Sequence, residues 1–140
     1  MKKIFTLFAA LMLLACGSFT AQAGIFTDEV WHVDYTPYES MTDSQLASMA
    51  DYDGGAATAL GLRYLDTDDI DSATDYLFQG IELGNADAMY AVAVIFLAGA
   101  DGDEDAIMSG ISYLTKAAQL GHADAEEVLL GILDEINGNQ

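Results

Sequence analysis

Leu83–Ala88 reads LGNADA and Leu120–Ala125 reads LGHADA, the same phrase with one letter changed, 37 residues apart. A chain that repeats itself at such a period builds one supersecondary unit more than once. The phrase has the grammar of a helix junction. Gly84 and Gly121 can take the left-handed conformation that ends a helix without a Cβ clash. Asn85 caps a following helix well, and His122 does so less well. Asp87 and Asp124 then fall in a first turn, where negative charge meets the positive end of the helix dipole. The flanking alanines let two helix backbones approach closely. We read the phrase as a joint between helical hairpins, not as an active site.

The rest of the chain is consistent with that grammar. Thr42-Asp43-Ser44-Gln45 is a capping-box signal, followed by Leu46, Met49 and Ala50 on one face. Gly54-Gly55 is expected to end this helix, with Ala56–Leu65 forming the next. An acidic turn over Asp66–Asp71 precedes a helix over Ser72–Leu83. A helix over Ala86–Ala98 then leads through a loop at Ala100–Glu104 to one carrying Ile107, Ile111, Leu114 and Ala117. A last helix is expected over Ala123–Ile136. Ala88, Val92, Ala93 and Phe96 repeat the spacing of Ala56, Leu60, Gly61 and Tyr64 displaced by 32, and Tyr113 follows Tyr76 by 37. The expectation is an all-α chain of about six helices in antiparallel pairs. One hairpin cannot bury its apolar face alone, so the pairs should stack.

Ala88-x-x-x-Val92-Ala93-x-x-Phe96-x-x-Gly99, with Tyr113-x-x-Lys116-Ala117-Ala118-x-x-Gly121-His122-Ala123-Asp124-Ala125, resembles a Sel-one-like repeat. That family is related to the tetratricopeptide repeats. Gly110 stands where the family usually has alanine. The resemblance implies a short right-handed α-solenoid over 42–140. Its repeats span about 56–87 and 88–124, the first shortened, with half-repeat caps at 42–54 and 125–136. It further implies a protein- or peptide-binding module of the bacterial envelope, such as an adaptor or a periplasmic immunity protein that blocks a secreted toxin. These motifs are packing residues, so they specify fold and not activity.

The beginning of the chain points to export. Lys2 and Lys3, the apolar run Ile4–Ala15 and Ala21-Gln22-Ala23 have the form of a secretory signal peptide over 1–23. The run is shorter than the roughly 20 apolar residues a membrane-spanning helix needs. Leu13-Leu14-Ala15-Cys16 also resembles the lipobox of bacterial lipoproteins, in which Cys16 would be acylated and supply the only membrane contact. Release without the leader would instead give a periplasmic or secreted chain with no cysteine and hence no disulfide. Residues 24–41, with Trp31, Tyr35, Tyr38 and the single proline Pro37, lack helical periodicity. They read as an N-terminal arm, extended over Val30–Tyr35 and ordered where its aromatics find a groove.

Charge narrows the partners. Lys and Arg number 4 against 23 Asp and Glu, a formal charge of −19. Loss of Lys2 and Lys3 with the leader takes this to −21, leaving Arg63 and Lys116 as the cationic side chains. Such a surface repels nucleic acid and anionic lipid headgroups and attracts a basic protein or divalent cations. Solubility in a salty habitat is the alternative cause of the acidity.

Reactive groups that converge are hard to find, so no catalytic residue and no cofactor is assigned. His32 sits in the arm, and His122 stands where the other copy has Asn85. Asp101-Gly102-Asp103-Glu104-Asp105 matches the first oxygen positions of an EF-hand loop, but Ala106 replaces the turn glycine and Ser112 the bidentate glutamate. Asp101, Asp103 and Asp105 are thus weak calcium candidates. Arg63, alone among acids, is expected to pair with an aspartate. The Ala86–Ala98 helix is apolar on all sides after Asp87. Its second stripe, Tyr90, Val94 and Leu97, with Leu62 and Leu65 before it and Glu127 after it, is either buried all round or open as a partner groove.

Overall fold

The computed structural model describes residues 35–138. Seven helices make up the described chain, with no strand among those residues. They are α1 (Thr36–Glu39), α2 (Asp43–Met49), α3 (Gly54–Asp66), α4 (Ile70–Glu82), α5 (Ala86–Gly99), α6 (Glu104–Gln119) and α7 (Ala123–Gly138). The expected signal segment, Cys16 and residues 24–34 of the arm lie outside the described residues.

Six of the helices follow Thr42, each started by the side chain that the sequence places there. Thr42 Oγ1 accepts from Gln45 N at 3.1 Å while Gln45 Oε1 accepts from Thr42 N at 2.8 Å, the reciprocal capping box. Asp53, Asp69, Asn85 and Asp103 cap α3, α4, α5 and α6 one-sidedly, their side-chain oxygens accepting from first-turn amides. At His122 the imidazole takes this role, Nδ1 accepting from Ala125 N at 3.1 Å. Each such cap is worth about 1 kcal/mol.

The acidic turn is shorter than expected, since α3 runs on through Asp66 and the Asp69 cap starts α4 at Ile70 rather than Ser72; two further boundaries differ. Gly54 and Gly55 do not stop α2; they open α3, because Asp53 caps there and the missing side chains are needed for contact. A Cβ on Gly55 would lie 2.5 Å from the Tyr38 hydroxyl. Part of the arm is also helical: Pro37 sits at the first positions of α1, where its fixed φ suits a helix start and no backbone donor is missed.

The twin phrase is a joint without spare residues. Gly84, at φ +81°, and Gly121, at φ +91°, are left-handed. Asn85 N donates to Gly80 O at 3.0 Å and Gly84 N to Ile81 O at 2.9 Å, closing the last turn of α4. His122 N and Gly121 N do the same for α6, to Ala117 O and Ala118 O at 3.0 and 2.9 Å. This is the Schellman pattern, and the residue that completes it is also the cap of the next helix. The turn between α3 and α4 repeats the device with Asp68 at φ 60° in place of glycine, Asp69 being both closer and cap.

Packing joins neighbours in the chain, most closely α3 with α4 and α5 with α6. Small residues set the approach. A Cβ on Gly61 would lie 2.8 Å from Leu77 Cγ, and one on Gly80 would lie 2.7 Å from Thr58 Oγ1. These two pairings run in opposite directions along α3 and α4, so the pair is antiparallel. Three apolar clusters follow one another along the chain. Leu46, Ala56 and Leu60 close over Tyr35; Leu62, Leu77 and Val92 join α3, α4 and α5; Ala93, Leu114, Val128 and Ile132 join α5, α6 and α7. Each fully buried leucine contributes roughly 2 kcal/mol.

Candidate functional site

The polar groups that the fold gathers lie where the helix starts of α3, α5 and α7 meet α1. Tyr35, Asp87 and His122 are at most 1% exposed. The Tyr35 hydroxyl donates to Asp87 Oδ2 at 2.7 Å, and its oxygen stands 3.5 Å from Asn85 Oδ1. On the other side of the carboxylate, His122 Nε2 lies 2.9 Å from Asp87 Oδ1. That contact is short but not aligned as a hydrogen bond, so its attraction is chiefly electrostatic. The imidazole also stacks on Tyr90, centroids 4.6 Å apart and planes 22° from parallel. Because Nδ1 accepts the Ala125 amide, the neutral ring carries its proton on Nε2, facing the carboxylate.

One turn along α1, Tyr38 repeats the gesture toward the previous helix start. Its hydroxyl lies 3.1 and 3.2 Å from the two oxygens of Asp53, the cap of α3. Arg63 holds α1 from below: Nη1 pairs with Asp43 at 2.8 Å, and Nη2 donates to the carbonyls of Tyr38 and Glu39 at 2.9 and 3.3 Å. The expected ion pair of Arg63 is present, and it doubles as a clamp on the end of α1.

Burial, and then the Asp87 carboxylate, push the Tyr35 phenol far above its ordinary value of 10.0. Burial, and then Asp53, raise that of Tyr38. Above pH 10.0 the unfolded chain therefore gives up phenolic protons that the folded chain retains, and stability falls as pH rises. The contribution is intact below pH 10.0 and is lost as pH climbs toward the folded values. Urea midpoints should drop between neutral pH and pH ~11, and Tyr35→Phe should flatten that drop. An unchanged slope in the variant would remove Tyr35 as its source.

Burial at this level leaves a substrate no approach, and both ring nitrogens of His122 are engaged. The chain Tyr35–Asp87–His122 ties α1, α5 and α7 together. The sequence reading missed it. Its signal was the lone carboxylate in the apolar α5, which had to find donors once buried.

Of the two readings of the second stripe, covered or open, the structure has the covered one. Leu62, Tyr90 and Leu97 are buried and Leu65 and Val94 half-buried, so these residues do not offer an open partner surface. Leu62 joins Leu77, Ala88, Ala91 and Val92, Tyr90 faces His122, and Leu97 fills the space that Gly110 leaves. The helix is apolar on all sides because neighbours cover it on more than one side. Glu127 alone of that set is exposed.

The acidic loop is not gathered for a cation. Asp103 Oδ1 is taken by the amides of Asp105 and Ala106 at 3.0 and 3.4 Å, and Asp101 is in the left-handed region at φ 43°. Among the described residues no group of three or more His, Cys, Asp or Glu side chains is placed for a metal. A shallow open depression on α6 is lined by Asp105, Met108, Ser109, Ser112, Tyr113 and Lys116, the ammonium lying 5.3 Å from the Tyr113 ring centre.

What faces solvent is acidic with scattered apolar side chains. Asp43, Asp51, Asp66, Asp68, Asp69, Asp71, Asp75, Glu82 and the acids of 101–105 are all exposed, as are Glu126, Glu127 and Asp134. Tyr52, Met108, Leu120 and Leu130 are half or more exposed. No described helix is long and apolar enough to cross a membrane. No family model, curated protein or solved structure matches the chain.

Proposed function

We propose that this chain is an exported, non-catalytic helical-repeat protein that binds a basic protein or peptide of the bacterial envelope. The observation that carries the reading is the distribution of charge. Among the described residues the acids lie mostly on the surface, and of the two cations after the leader, Arg63 is engaged with Asp43. In this reading the consecutive hairpins form a short α-solenoid with a Sel-one-like repeat, as the residue pattern of 88–125 suggests. The signal segment delivers it to the periplasm or beyond, with or without a lipid on Cys16. Neutralisation of a basic secreted toxin is the specific form of the function that this charge favours, since complementary fields speed association.

The test is capture of partners by the full chain from envelope extract, followed by measurement of the salt dependence of binding. A basic partner whose affinity falls at least about tenfold between low and physiological ionic strength is the expected result. Recovery of only neutral or acidic partners, held equally well at high salt, would sink the proposal.

A further inference from the structure

On α7 a face is open that α5, its counterpart 37 residues earlier, keeps covered. Met89, Tyr90, Ala93 and Leu97 of α5 are buried in the cluster shared with α6 and α7. The positions 37 residues on are Glu126, Glu127, Leu130 and Asp134, and all four are exposed. Leu133, the counterpart of half-buried Phe96, is 42% exposed and Leu130 is 54% exposed. At 3.6 residues per turn Glu126, Leu130 and Leu133 share one stripe, with Glu127 and Asp134 along its side. The opposite stripe, Ala125, Val128 and Ile132, faces the core.

Positions that inside the fold seat following helices thus carry, on α7, two leucines one turn apart bordered by three carboxylates. Shielding a helical stack from water calls for the carboxylates of such a face but not for its leucines. We propose that this outer face of α7 docks a basic amphipathic helix of a partner protein. Its apolar residues lie on Leu130 and Leu133, and its Lys and Arg side chains meet Glu126, Glu127 and Asp134. Charge selects this occupant. A second copy would set carboxylates against carboxylates, and an apolar helix would leave the three acids facing hydrocarbon. The inference rests on the proposed binding of a basic partner and adds where that partner sits.

The probe is a fluorescent synthetic Leu/Lys amphipathic helix titrated with the full chain, with a Leu/Glu helix as control. The expected result is selective binding of the Leu/Lys helix, weakened at least about tenfold by Leu130→Ser with Leu133→Ser. Glu126→Gln, Glu127→Gln and Asp134→Asn together should weaken it similarly and flatten its salt dependence. Leu83→Ser with Leu120→Ser, at exposed leucines elsewhere, should leave it unchanged. These side chains are at the surface, so circular dichroism should show the fold retained in every variant. Equal binding of both peptides overturns the docking site, as does concentration-dependent dimerisation lost in the leucine variants. Salt-sensitive Leu/Lys binding that survives the leucine substitutions overturns the α7 site while leaving the proposed function standing. Absence of any binding to the basic helix removes the site, and failure of envelope capture as well removes both.

Discussion

Asp87→Ala is expected to destabilise the chain by about 3 kcal/mol, a fall of roughly 15 °C in Tm for a domain of this size. The carboxylate is fully buried, accepts from Tyr35 and lies 2.9 Å from His122 Nε2. Its removal leaves two buried donors facing a methyl group, which costs more than the pair's own attraction contributes. Relief from desolvating the charge offsets only part of this. Asp87→Asn, which keeps one acceptor oxygen, should cost about half as much. Tyr35→Phe combined with Asp87→Ala should be less than additive, because both substitutions break the same contact. Thermal melts and a double-mutant cycle test this. A melting temperature within a few degrees of the parent would mean that the three side chains are not held together in solution.

The second large effect is at Gly110, in the interior of α6. Alanine in a helix interior is favoured over glycine by about 1 kcal/mol, so propensity alone predicts a gain from Gly110→Ala. The structure predicts a loss of about 2 kcal/mol net, through overpacking. A Cβ there would overlap Leu97 Cγ and stand 2.7 Å from its Cδ2, and Leu97 is 5% exposed and has little room to move. Leu97→Ala alone should cost 2 kcal/mol or more through the cavity it leaves. The double variant should cost clearly less than the two singles added, since the new methyl enters the space vacated. Additive behaviour would show that the two side chains do not compete for one volume.

Much of this architecture was legible in the sequence because the helix starts announce themselves. Thr42 and Asn85 read as caps and act as caps. Asp53, Asp69 and Asp103 cap α3, α4 and α6 as well. In acid-rich turns, however, a capping aspartate looks like its solvated neighbours, and the starts of α3 and α4 are expected two residues late. Gly54-Gly55 was ambiguous for a physical reason: glycine marks both a stop and a place where another group comes close, and only the position of Tyr38 decides between them. α1 was missed because four residues are too few to show a period. The stripe through Tyr90 and Leu97 reads identically whether its far side is covered or open, since hydrophobicity reports burial but not by what. The buried chain was half legible. An acid in an apolar helix demands partners, but Tyr35 lies 52 residues away in sequence and no local pattern pairs them.

A residue that closes one helix and opens the next leaves no slack between them. One amino acid inserted beside Gly84 or Gly121 would separate the amide that closes the first helix from the side chain that caps the second, so that neither Asn85 nor His122 could serve both ends. A change of length at these joints is therefore felt at two helix ends at once, whereas the Ala100–Asp103 turn, closed by Asp103 N donating to Ala100 O at 2.7 Å, lies within a hairpin rather than between two.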